Sequence, residues 1–140
     1  MGPGDDAKVL AASELFDKPA REDATARFLR EPTHHLLIAY EGDLPVGFVS
    51  GTEISHPDQP TTMFLNELGV DEGYQRRGIG RALTTALIDV GLERGCHSVY
   101  VLTEHDNEAA IATYNRYGVA REDGFVMFTW SLDLSRLEPA

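Results

Sequence analysis

Residues Leu68 to Ile88 read LGVDEGYQRRGIGRALTTALI, and the period of their side chains changes midway. Just upstream, Met63 to Val70 is a short run of apolar, β-favouring residues interrupted by Asn66 and Glu67. Gly69 would weaken a helix there, so the run predicts a strand. From Ile79 onward, Ile79, Leu83, Ala86, Leu87 and Val90 recur at spacings of three and four, one face of a helix, while Thr84 and Asp89 fall elsewhere. Gly91 and Gly95 weaken its far end and offer a stop. Between strand and helix lies Gln75-Arg76-Arg77-Gly78-Ile79-Gly80. Its two glycines let the backbone come close to a ligand or to another segment. The start of the helix presents unpaired N–H groups and a positive dipole end. Arg76, Arg77 and Arg81 add fixed positive charge, and the combination suits a phosphate or pyrophosphate. The alternative is a structural turn with ordinary surface arginines. The segment is not the Gly-x4-Gly-Lys-Ser/Thr loop of nucleotide hydrolases. Nor is it the dinucleotide G-x-G-x-x-G fingerprint, because Leu83 stands where the third glycine belongs.

Working outward, Ser98 to Thr103 alternates Val99 and Val101 with Tyr100 and Leu102 and predicts a second strand, giving a β-α-β unit. Asn107 or Asp106 caps a last helix, Glu108 to Tyr117, with Ala110, Ile111 and Tyr114 apolar and Gly118 as its stop. Phe125 to Leu134 predicts a final strand that includes Phe128 and Trp130. On the other side, His34 to Tyr40 and Pro45 to Ile54 are two strands joined by a turn at Glu41-Gly42-Asp43. The loop Ser55 to Thr62 holds two prolines; it and its neighbours Glu53, His56 and Asp58 line a substrate entrance, or are simply solvated. Asp6 caps a helix over Ala7 to Phe16, and a second helix runs from Ala20 through Leu29 before Pro32 ends it.

A chain of 140 residues predicts one domain, residues 1–140, with a core that needs no disulfide. The formal net charge of -11 argues against generic nucleic-acid binding, since the phosphate contribution would be repulsive. It would attract a cationic small substrate, or it serves only solubility. No apolar run approaches the roughly 20 residues of a membrane span. The N-terminus lacks a charged-then-apolar leader, so the expectation is a cytoplasmic protein without a membrane partner. The single cysteine, Cys96, reads as a small half-buried residue. The histidines at 34, 35, 56, 97 and 105 have no compact metal-ligand spacing, so no metal is expected.

The segment Gln75 to Gly80 resembles the pyrophosphate loop of the GNAT superfamily of acyl-coenzyme A-dependent N-acetyltransferases, Gln/Arg-x-x-Gly-x-Gly/Ala, and it sits in the expected place between a strand and a long helix. The resemblance extends from Leu36 to Leu132. Within the superfamily the chain is similar to the small aminoglycoside 3-N-acetyltransferase branch, through FLNELGV at 64–70, Tyr100-Val101 and AAIATY at 109–114. The resemblance implies an α/β fold with a central mixed sheet flanked by helices, acetyl-CoA as cofactor, and a cationic small-molecule amine as acceptor. Aminoglycoside is the first guess, with antibiotic resistance as a role. A polyamine or a protein N-terminus, or acyl-CoA binding without transfer, are the alternatives.

The resemblance also assigns residues. Leu68, Gly69 and Val70 pair with the pantetheine arm. Gln75, Arg76, Arg77, Gly78, Ile79, Gly80 and Arg81 wrap the pyrophosphate, and Asn107, Ala110 and Tyr114 flank the arm from the other side. Tyr114 is the candidate proton donor. Glu67 and Glu104 each stand at the carboxyl end of an expected strand and are the candidate bases. Together with Asp106 and the Glu53, His56 and Asp58 region they form the acceptor side. The branch tends to have aspartate at both glutamate positions, and one methylene displaces a carboxylate by about 1 Å, enough to alter acceptor choice. His105 ranks below the glutamates. Superfamily folds begin with a strand, and the residues before Ala7 are not β-like. Either that strand is absent or the chain starts downstream of it. If it is absent, Leu36 to Tyr40 is an edge for another subunit to cover, which suits the homodimer the family suggests.

Overall fold

The structure is a computed structural model that describes residues 1–117 and 119–132. Its regular elements are α1 (Asp6–Ala11), α2 (Glu22–Arg30), β1 (His34–Glu41), β2 (Leu44–Ile54), β3 (Thr62–Val70), α3 (Ile79–Glu93), β4 (Ser98–Val101) and α4 (Glu108–Asn115). Among the described residues the strands form one mixed sheet in the order β1-β2-β3-β4. β1 to β3 are antiparallel neighbours, and β4 runs parallel to β3 after the α3 crossover. The expected mixed sheet flanked by helices is therefore present.

Side-chain alternation divides the core into two. Val49, Met63 and Leu65 face α3, where Leu83 and Leu87 pack onto them, with Val99 and Val101 of β4 alongside. Leu36 and Phe48 face the other way, toward Val9 of α1 and Leu29 of α2. Thr84 departs from the expected pattern. It is buried on α3, and its hydroxyl donates to the Gly80 carbonyl at 2.8 Å, so the polar atom is satisfied within the helix.

One extra residue decides where the cleft opens. In the β2–β3 register Ser50 faces Glu67 and Gly51 faces Leu65, which leaves Asn66 as a bulge. The phase of β3 switches there: Met63 and Leu65 pack toward α3 before the bulge, Leu68 and Val70 after it. β3 and β4 pair only over Thr62–Leu65 and Ser98–Val101. Beyond those residues they diverge.

Several expectations are corrected. The first helix ends at Ala11; a single 3-10 turn, Ser13–Leu15, follows, and Phe16 is extended with its ring edge-on to Phe48 at 4.7 Å. β4 stops at Val101 rather than Thr103. The expected final strand does not form over Phe125 to Leu132, and its last two residues, with the Gly118 stop, lie outside the described residues. Before α1 the described chain has no strand, and β1 is a sheet edge. The Met1 amino group donates to the Leu36 carbonyl on β1 at 3.1 Å.

Candidate active site

The glycine-arginine turn forms a cradle between β3 and the start of α3. Val70 ends β3, and a 3-10 turn, Glu72–Tyr74, follows with Asp71 accepting from the Gly73 N–H at 3.0 Å. The Gln75 side chain folds back to donate to the Val70 carbonyl at 3.1 Å, which fixes the loop on the strand end. Arg76 has φ 64° and Gly78 has φ 80°, two left-handed residues within the turn. Gly78 holds the N-cap position of α3, with no side-chain cap and no acidic residue in the first turn. The first N–H donors of this 15-residue helix thus have no side-chain cap. A Cβ on Gly78 would meet nothing, so the space over the loop is open.

The arginines of this loop are spread over neighbouring elements. Arg77 lies over the Tyr74 ring at 5.0 Å and 4.0 Å from Glu41 at the end of β1. The Glu41 contact raises the Tyr74 phenol above its ordinary range. Arg81 lies 5.7 Å from the Tyr117 ring centroid.

Beside the cradle, the divergence of β3 and β4 opens a cleft of about 430 Å³. One wall is Leu65 to Gly69, the other Val101 to Glu104, and Asn107, Ala110 and Tyr114 close it from α4. No β4 residue pairs with Asn66 to Val70, so that edge of β3 has main-chain groups available to an extended ligand. Gly69 is required there: a Cβ would stand 2.7 Å from the Phe48 ring and 3.4 Å from the Leu15 carbonyl.

Glu67 and Glu104 thus share one cleft with Tyr114, although the strands that carry them no longer pair at that point. Both glutamates are exposed. Tyr114 is half-buried, and burial pushes its phenol pKa above the ordinary value, so its hydroxyl is protonated at neutral pH. Asn107 is the α4 N-cap, its side-chain oxygen accepting from the Ala110 N–H at 3.2 Å.

The remaining acceptor-side candidates lie elsewhere. Glu53 pairs with Met63 at the far end of β3 from the loop. Its side chain is 7% exposed and bound to His35 Nε2 at 2.7 Å and Arg94 Nε at 2.9 Å. Burial raises the Glu53 carboxyl, but the hydrogen bonds from His35 and Arg94 outweigh it and hold the group below the ordinary carboxylate range. Those contacts join β1, β2 and the end of α3. His56 and Asp58 are exposed in the 55–61 loop, and Asp106 is exposed beside the α4 cap; none of the three lines the cleft. Sequence reasoning missed Leu15 and Asp17, which close the cleft from the segment between α1 and α2. Their only signal was an apolar-acidic pair just before Pro19.

Residues 7–119 match the model of the acetyltransferase (GNAT) family. The N-alpha-acetyltransferase RimI of Mycobacterium tuberculosis is 35% identical over 111 residues, covering 78% of this chain and 68% of that protein. A mycothiol acetyltransferase of Saccharopolyspora erythraea is 38% identical over 98 residues, covering 70% of this chain but only 31% of its own length. Among solved structures, an aminoglycoside acetyltransferase from an uncultured soil metagenomic sample superposes with a TM-score of 0.87 at 20% identity, over 95% of this chain and 93% of that one. A second one from such a sample gives 0.80 at 26% identity, over 94% and 95%.

Proposed function

This chain belongs to the GNAT acetyltransferase family, with acetyl-CoA as donor, and from that premise we propose that it acetylates a primary amine of a cationic small molecule by direct attack in a ternary complex. The observation that carries this reading is the cleft in which Glu67, Glu104 and Asp17 surround a space closed by Tyr114. The α3 cradle fits the donor's pyrophosphate because its helix end is uncapped and flanked by Arg76, Arg77 and Arg81. The open edge of β3 at Leu68, Gly69 and Val70 fits its extended amide arm. When bound, acetyl-CoA supplies the acetyl thioester.

The chain's own residues then divide the work. The carboxylates of Glu67 and Glu104 would hold the ammonium, and Glu104 would accept the proton that it must lose before its nitrogen has a lone pair to attack with. The freed amine forms the new C–N bond as the C–S bond breaks. Tyr114 would donate its hydroxyl proton to the departing thiolate and regain one from the second proton that the nitrogen sheds as the amide forms, a role supported by its raised pKa. Leu15, Phe48 and Leu65 add apolar surface to the lining of the cleft.

An aminoglycoside is the first acceptor to try, since proteins with that activity in their names share the fold. The similarity to RimI favours a second reading, a protein N-terminus. Thiol release from acetyl-CoA, measured against aminoglycosides, polyamines and peptides, separates them. Turnover with a polycation and none with peptides supports the first reading; the reverse selects the second. Silence across the panel with intact acetyl-CoA binding would leave only a binding module.

A further inference from the structure

The glutamate that ends β1 reaches across to the loop ahead of α3. Glu41 Oε2 lies 4.0 Å from Arg77 Nη1, and the two side chains are 60% and 59% exposed. The Arg77 guanidinium lies over the ring of Tyr74, 5.0 Å from its centroid. Glu41 also meets the Tyr74 phenol and raises it above its ordinary range, so the group beside the carboxylate is a hydroxyl able to donate to it. One carboxylate of the β1–β2 hairpin thus faces an arginine and a tyrosine of the loop. Among the described residues, Arg76 and Arg81 have no carboxylate ion pair. We propose that Glu41 is a positioning residue that acts through Arg77: it is the counter-ion that Arg77 exchanges for the pyrophosphate of acetyl-CoA, and it limits how tightly donor and product are held. The proposal rests on the reading of the cradle as the pyrophosphate site.

The first support is the pair itself. A separation of 4.0 Å exceeds hydrogen-bond length, and both partners stand in water. Such a pair is weakly held. A pyrophosphate brings more charge and more acceptor oxygens, so it takes the guanidinium from the carboxylate. The second support is place. Arg77 directly precedes Gly78, the N-cap of α3, so an anion held by the uncapped N–H groups of that helix has this arginine beside it in the chain. Stacking on Tyr74 fixes the guanidinium plane and leaves its N–H edge free to change partners. The third support is the reaction. Acetyl transfer does not touch the pyrophosphate, so the cradle grips CoA as it grips acetyl-CoA, and that binding is uniform. Added grip at this point slows product release without helping the chemistry. Glu41 gives the guanidinium a partner to return to as CoA leaves.

The experiment is a double-mutant cycle on binding, which needs no acceptor. Acetyl-CoA and CoA are each titrated by calorimetry into the parent, Glu41→Gln, Arg77→Gln and the double variant. Both side chains are exposed, so the core is untouched, and glutamine keeps an acceptor oxygen for Tyr74 while removing the charge. Glu41→Gln should tighten both ligands by the same factor, about two- to five-fold, and slow CoA dissociation in stopped-flow displacement to match. The gain should vanish when Arg77 is replaced. Asp43→Asn, which removes one charge from the adjoining exposed turn, should tighten binding less than Glu41→Gln does. Weaker binding in Glu41→Gln overturns the proposal, because it would mean that Glu41 organises the loop for the donor. A gain that survives the loss of Arg77, or that Asp43→Asn equals, overturns it too, since the effect would then be a general field. If Arg77→Gln leaves both affinities unchanged, or acetyl-CoA does not bind the parent, the cradle reading fails and the proposal falls with it. Weaker binding in Arg77→Gln without a gain in Glu41→Gln keeps the cradle and rejects the exchange.

Discussion

Tyr114 is half-buried, packed against the cluster around Leu83 and Leu87, and it lines the cleft. Tyr114→Phe keeps the ring and removes the hydroxyl. If the phenol is the acid, kcat should fall about 100-fold or more while the acetyl-CoA dissociation constant stays within a few fold. Stopped-flow acetyl transfer beside calorimetry reads both quantities, and a normal kcat at every pH removes Tyr114 from the chemistry. Glu53 shows the opposite case, a residue whose chemistry is structural. Its carboxyl is lowered in the folded state by His35 and Arg94, so its contribution to stability is present above the unfolded carboxyl pKa and is lost as pH falls through the folded value. Glu53→Gln should therefore cost about 1.5–3 kcal/mol at neutral pH. Its thermal midpoint should also fall less steeply than that of the parent between about pH 6 and about pH 3. Parallel midpoints across that range would show that the three-way contact is not a determinant of acid stability.

α4 carries both the Asn107 cap and Tyr114, and Tyr117 lies just beyond its end. The Tyr117 hydroxyl donates to the Arg81 carbonyl at 2.8 Å and lies 2.8 Å from Thr85 Oγ1, so this helix end is tied to the first turns of α3. Tyr117→Phe cuts that tie at a cost of about 1 kcal/mol. Because α4 sets the position of Tyr114, kcat should drop several fold with little change in the acetyl-CoA affinity; a fall in thermal stability alone, with kcat intact, would make the tie purely structural. Much of this architecture was legible in the sequence, because elements packed on both faces carry their period openly. The β1–β2 hairpin, β3, the Ile79 start of α3 and the Asn107 cap all appear where alternation, a three-four spacing or a capping residue predicted them. The bulge was half legible: in MFLNELGV the apolar phase breaks between Leu65 and Leu68, which is the phase switch itself, yet only pairing with Ser50 and Gly51 identifies it as a bulge. Period could not reveal which loops meet across the cleft. Asp17 was missed for that reason. Glu53 was assigned to the acceptor side because the linear neighbours of a strand end say nothing about which end of the sheet it occupies. The expected strand at Phe125 had the right composition, but a strand also needs a neighbour, and the described chain supplies none.

At the scale of the whole molecule, charge is the organising asymmetry. The chain is acidic overall, with 23 acidic against 12 basic residues, but three of its arginines, Arg76, Arg77 and Arg81, stand in or beside the α3 cradle. A second depression of about 560 Å³ adjoins the cleft and is rimmed by Glu14, Asp17, Asp71 and Glu72, so acidity continues from the cleft across the surface toward the loop. These two fields act on the two reactants with opposite sign. On the proposed reading, a polycationic acceptor would be drawn in by the overall negative potential, whereas the anionic donor would have to overcome that potential and would be held by local cations and helix N–H groups at short range. Salt screens long-range terms first, with a Debye length of about 10 Å at 0.1 M. Raising ionic strength should therefore lower kcat/KM for a polycationic acceptor, more steeply for a tetra-amine than for a monoamine. The apparent affinity for acetyl-CoA should change less than the acceptor's kcat/KM, because screening the chain's repulsion offsets screening of the arginines. Initial rates over a salt series with acceptors of graded charge measure both slopes. Equal slopes for mono- and polyamines would mean that the acidity serves solubility alone and that acceptor choice rests on contacts inside the cleft.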